Sequence, residues 1–116
     1  MKGTGMDSYR DTARTVDQGN KMLMEAAPET MGAFAALYKA ASADGAIDKK
    51  TKELMALSIS VAIRCEGCIA VHARAAARHG ASEAEAVEAL MVAVELSGGP
   101  GTVYAGKALE AFRAFS

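Results

Sequence analysis

Apolar residues recur along this chain at the three- and four-residue steps of helices, almost from end to end. No stretch sustains the alternation of a half-buried strand, and no Asn-Gly turn joins two β-branched runs. An all-α fold of about six helices is the expectation. A first helix is predicted over roughly Ser8 to Ala26, softened by Gly19-Asn20. Pro28 suits the first turn of a second, in which Met31, Phe34, Ala35, Tyr38 and Ala41 form a stripe that stops at Asp44-Gly45. Asp48 can cap a third, with Leu54, Leu57, Ser58 and Val61 facing inward. A fourth opens near Cys65 and ends at Gly80, a residue suited to the left-handed position that follows a helix. Ser82 with Glu85 three residues on is a capping box for a fifth, whose inner positions are Val87, Leu90, Met91 and Val94. Ser97 to Gly101 (SGGPG) breaks the pattern before a last helix carrying Tyr104, Ala108, Ala111, Phe112 and Phe115.

Composition changes this picture in one respect. Of 116 residues 51% are hydrophobic but only 5% aromatic, with no Trp, so the apolar positions are mostly small. Small side chains bury little area each, and a lone 12.0 kDa unit would have a thin core. Oligomerisation is the expected remedy, and five of the seven methionines, Met22, Met24, Met31, Met55 and Met91, read as core filler. The formal net charge of −1 gives no reason to expect a nucleic-acid partner. The longest apolar run, Leu54 to Ile63, is too short to span a bilayer. The first fifteen residues lack the apolar core of a secretory leader, and the expected location is the cytoplasm.

In that compartment a C-x-x-C pair points to redox or metal chemistry rather than to a structural staple. Residues 64–80, RCEGCIAVHARAAARHG, place Cys65, Cys68 and His72 at successive steps of three and four, hence on one helical face. Cysteines three apart in a helix can cycle between dithiol and disulfide with little backbone motion. A helix start and Arg64 favour a thiolate, Glu66 opposes one, and His72 can exchange a proton with the thiol. Zinc is the competing chemistry. These three residues fall one short of the usual four ligands, and His79 lies two turns past His72, so no metal or other cofactor is expected.

Glu53, eleven residues, Cys65-x-x-Cys68, three residues and His72 together resemble the signature of the alkylhydroperoxidase AhpD-like branch of the carboxymuconolactone decarboxylase family. Gly98 to Phe112 is similar to that family's Gly-Gly-Pro and Tyr-bearing last helix. The resemblance spans roughly Pro28 to Phe115, which sets residues 28–116 apart as the family domain and residues 1–27 as an N-terminal helical extension. It implies an oligomer, a trimer or a hexamer, that reduces hydroperoxides with electrons from a dithiol partner. It further implies that Cys68 attacks the peroxide, that Cys65 closes the disulfide, and that Glu53 and His72 relay the proton. One residue departs from the pattern: AhpD enzymes carry a His between the cysteines, and this chain has Gly67. A redox-sensing adaptor with little turnover and a decarboxylase-like enzyme are the alternatives. The residues alone leave Glu53 open. On one straight helix it would stand about 18 Å from Cys65, so contact demands a chain break between Arg64 and Gly67 or a neighbouring subunit.

Overall fold

The computed structural model describes residues 6–116; the first five residues, part of the segment read above as lacking a leader, lie outside the described residues. The described residues form five helices, α1 (Met6–Ala26), α2 (Pro28–Ser42), α3 (Lys49–Ala62), α4 (Glu66–Arg78) and α5 (Glu83–Phe115), and no strand. The caps foreseen in the sequence are present. Asp48 accepts a hydrogen bond from the Thr51 amide at 2.8 Å, satisfying one of the unpaired N–H groups at the start of α3. Ser82 and Glu85 close their box reciprocally, at 3.1 and 2.9 Å. Pro28 occupies the first turn of α2.

The fifth and sixth predicted helices run on as one element, kinked rather than interrupted. Gly98 stands at φ 66°, ψ −142° inside α5, a region open essentially to glycine alone. Three residues later Gly101 is buried, and a Cβ there would lie 2.8 Å from the Ser97 Cβ and 3.2 Å from the Val94 Cα. The SGGPG stretch is therefore a hinge of fixed angle that folds two apolar arms against α3 and α4.

The core lies between α3, α4 and α5. Leu57, Val61, Ile69, Leu90 and Phe112 are its bulky members. Much of the remainder is alanine: Ala70, Ala73 and Ala76 on α4, and Ala86, Ala105, Ala108 and Ala111 on α5, are fully or nearly fully buried. Side chains this small let helix axes approach closely, which makes the core dense but thin. Helix α1 belongs to the same body. Its Tyr9 and Ala13 are buried, Asp17 takes two hydrogen bonds from the Arg74 guanidinium at 2.7 and 2.8 Å, and Arg10 donates to the Ala114 carbonyl. The Arg74 guanidinium holds the Asp17 carboxyl below the usual carboxylate range.

Two expectations fail here. Met22, Met24, Met55 and Met91 are exposed, not core filler, and Met31 is only half-buried; Met91 thereby also leaves the inner face of α5. The stripe on α2 is equally outward: Phe34 is 61% and Tyr38 42% exposed, and only Ser42 of that helix is buried. The periodicity was a true mark of helix, but periodicity does not say that a surface to cover the stripe exists within the same chain.

The Gly98 geometry is open to test. Gly98→Ala should destabilise the protein by about 1–3 kcal/mol, the cost of a side chain held in a glycine-only region. Gly99→Ala, where a Cβ meets nothing within 4 Å, should change stability by less than about 1 kcal/mol. Urea unfolding of the two variants gives both values; equal losses would remove the hinge from Gly98.

Candidate active site

The chain break that Glu53 requires is present, and it is local. Helix α3 stops at Ala62, Arg64 takes a left-handed φ of 59°, and α4 begins at Glu66. The Cys65 amide donates to the Ser60 carbonyl at 3.1 Å, closing the turn. A left-handed conformation costs a residue with a side chain about 1–2 kcal/mol. Here it reverses the chain, so that α4 packs back along α3. Positions far apart along one rod thereby become neighbours across two. Glu53 Oε1 lies 2.8 Å from His72 Nδ1.

Glu53 is 1% exposed, and among the described residues no other charged side chain is buried. Burying a carboxylate costs several kcal/mol unless hydrogen bonds replace its water. Two groups do so. Its Oε1 faces His72, and its Oε2 accepts from the Tyr38 hydroxyl at 2.7 Å. An ionised carboxylate can only accept, so His72 presents Nδ1–H to it and keeps its lone pair on Nε2. Burial, and next the hydrogen bond to Glu53, push the Tyr38 phenol up to about 12. The Tyr38 and His72 rings are tilted neighbours, with centroids 6.2 Å apart. Tyr38 is the member of the site that carries no signal in the sequence, where its spacing marks only one more position of an apolar stripe.

Cys65 and Cys68 form a disulfide with a Cα–Cα distance of 5.2 Å. Cys65 is the N-cap of α4, and its sulfur accepts from the Cys68 amide at 3.2 Å. Both sulfurs thus sit in the first turn, where free N–H groups and the helix dipole favour negative charge. Cys68 and His72 line one open cleft of about 520 Å³, together with Val16, Phe34, Tyr38 and Val71. Lys49, Arg74, Arg78 and His79 give that cleft a basic edge. His79 is the C-cap of α4. A smaller apolar hollow of about 220 Å³ between the arms of α5 is lined without any titratable side chain. Among the described residues no three of His, Cys, Asp and Glu cluster so as to hold a metal ion.

With this geometry in view, comparison with known proteins decides the family. Residues 28–111 match the model of the carboxymuconolactone decarboxylase family. The chain belongs to this family. The match excludes α1, yet α1 is not peculiar to this chain. The apo crystal structure of a carboxymuconolactone decarboxylase family protein from Legionella pneumophila superposes with a TM-score of 0.93 at 40% identity, over 95% of this chain and 98% of that one. Coverage that wide takes in most of α1. A family protein of Thermotoga maritima, for which involvement in an antioxidative response has been suggested, superposes with a TM-score of 0.75 at 27% identity, over 91% of this chain and 87% of that one. An uncharacterised protein of Cupriavidus necator is 39% identical over 94 residues, 81% of this chain and 83% of its own length.

The departure at Gly67 has a physical counterpart within this chain. A Cβ at Gly67 would lie 3.0 Å from the Val16 Cγ2 of α1, and a branched side chain yields little at that distance. Space beside the disulfide that a side chain at position 67 would fill is taken by α1. In a double-mutant cycle, Gly67→Ala and Val16→Ala should therefore be coupled, the second relieving the first by about 1 kcal/mol. Additive effects in thermal unfolding would separate α1 from the disulfide turn.

Proposed function

We propose that this chain reduces hydroperoxides with the Cys65–Cys68 dithiol, and that Glu53 and His72 carry the proton. The observation that carries the reading is the 2.8 Å contact between buried Glu53 and His72, with His72 one turn beyond Cys68 on α4. A buried carboxylate that fixes an imidazole tautomer beside a thiol is how a general base is made. The suggested antioxidative role of the Thermotoga maritima relative points the same way.

The cycle begins with the reduced pair. His72 Nε2 takes the Cys68 proton, and the resulting imidazolium is held by the Glu53 carboxylate. The Cys68 thiolate attacks the distal peroxide oxygen. The O–O bond breaks, the alkoxide takes the proton from His72, and an alcohol leaves, or water when the substrate is hydrogen peroxide. Cys68 is now a sulfenic acid. Cys65, whose sulfur is favoured as a thiolate by the helix start and the Cys68 amide, attacks the Cys68 sulfur. Hydroxide is displaced and protonated to water, and the disulfide forms. A dithiol partner then returns two electrons by thiol–disulfide exchange. His72 gives Cys68 the role of attacking thiol, because Cys65 lies a further turn away along α4.

The test is chemical. Reduced protein should lose both thiols to one equivalent of hydrogen peroxide and regain them with a dithiol. Cys65→Ser should stop at a sulfenic acid on Cys68 that a trapping reagent labels. His72→Ala should slow that first step by about 10²-fold or more. Mass spectrometry reads each product. A Cys68→Ser protein that forms a trapped sulfenic acid on Cys65 at the wild-type rate would reverse the roles, and two inert thiols would end the reading.

The functional unit in this reading is a homo-oligomer. Phe34 and Leu37 on α2, Met55 and Ile59 on α3, Ile63 just after it, and Leu96 on α5 leave apolar surface uncovered on the single chain. Light scattering of dilute protein should return a mass several times 12.0 kDa; a stable monomer would contradict this.

A further inference from the structure

Glu53 has two carboxylate oxygens, and the relay to His72 uses only one. The other is held by a side chain from a different helix. Tyr38 stands on α2 and donates its hydroxyl to Glu53 Oε2 at 2.7 Å. α2 is otherwise the most exposed helix of the body, with Ser42 its only buried residue. The one strong polar tie from the middle of this helix thus ends on the buried charge of the site.

We infer that Tyr38 is a positioning residue: by occupying Oε2 of Glu53 it holds the carboxylate turned so that Oε1 receives Nδ1–H of His72, which leaves the Nε2 lone pair to accept the thiol proton. Three observations carry this. The two oxygens are shared out, one to each partner, at 2.7 and 2.8 Å. Glu53 is 1% exposed, so water cannot replace a lost donor. The phenol, pushed up to about 12, remains a donor throughout the physiological range.

Without the hydroxyl, Oε2 is a buried acceptor with no donor, and the carboxylate is no longer held in the rotation that points Oε1 at His72. Nδ1–H then loses its fixed acceptor, and His72 is free to carry its proton on Nε2, which leaves no lone pair there for the thiol. A single hydroxyl on α2 thereby selects the imidazole tautomer on α4, with no contact to the peroxide or to either sulfur.

The consequence for rate rests on the peroxidase reading above, but the tautomer does not, and the test separates the two. Long-range ¹⁵N-correlated NMR of His72 in the reduced protein, at about pH 9 where an ordinary imidazole is neutral, should show Nδ1 protonated in the wild type. In Tyr38→Phe the signals should move to the Nε2-protonated form or to a mixture. Tyr38 is 42% exposed, so a Phe ring fits the same space; the lost bond lowers stability, and circular dichroism verifies that the variant is folded before the tautomer is read. Sulfenic-acid formation on Cys68 by hydrogen peroxide should fall about 10-fold in the same variant, part of the range general-base assistance covers. A simple loss of packing would lower the melting temperature without moving the tautomer. An unchanged tautomer in Tyr38→Phe overturns the inference, whatever the rate does. A changed tautomer in a protein whose thiols ignore peroxide upholds Tyr38's part and ends the peroxidase reading instead.

Discussion

Everything distinctive in this molecule depends on keeping one negative charge out of water. Glu53 sits among the largest fully buried side chains, alongside Leu57, Ile69 and Phe112. A carboxylate there is tolerable only if each oxygen has a donor. The donors come from two other helices, Tyr38 on α2 and His72 on α4. Charge-assisted bonds of this kind contribute roughly 1.5–3 kcal/mol each, comparable with the desolvation they offset. The same pairing that lets the fold accept Glu53 fixes which nitrogen of His72 holds a proton. Stability and chemistry are here two consequences of one set of contacts.

That set of contacts needs α3 and α4 to run back along one another, which places the demand on three residues. Ile63 ends α3, Arg64 adopts the left-handed conformation and Cys65 caps α4. Cys65 therefore does two things. Its sulfur satisfies an amide at the helix start, and it stands in disulfide reach of Cys68 because both belong to that first turn. The disulfide is built into the corner that brings the carboxylate and the imidazole together, so the turn cannot move without disturbing both.

Helices α1 and α2 stand in contrast. Helix α1 is tied down by buried Tyr9 and Ala13 and by the Asp17–Arg74 pair, and it presses Val16 against the site at Gly67. Helix α2 reaches the site through Tyr38 while its apolar residues Phe34 and Leu37 face outward.

The helices, their caps and the C-x-x-C site with His72 were legible in the sequence because each rests on local physics. Side-chain periodicity, an Asp or Ser at a helix start and a spacing of three or four residues need no partner from far along the chain. The all-α class and the family signature followed from the same signals. Distance along the chain hid the rest. The proximity of Glu53 to His72 was indicated only by the family resemblance, because the residues alone left open whether the chain reverses near Arg64 or a second subunit supplies the contact. Tyr38 looked like a member of an apolar stripe, because a hydroxyl's partner cannot be read from periodicity. The methionines looked like core because their chemistry is apolar; whether a surface exists to cover them depends on how helices pack. The sequence by itself determined where helices begin and end and which residues could do chemistry. Only the tertiary structure decided which of those residues meet, because a buried charge chooses its donors by position in space and not by separation along the chain.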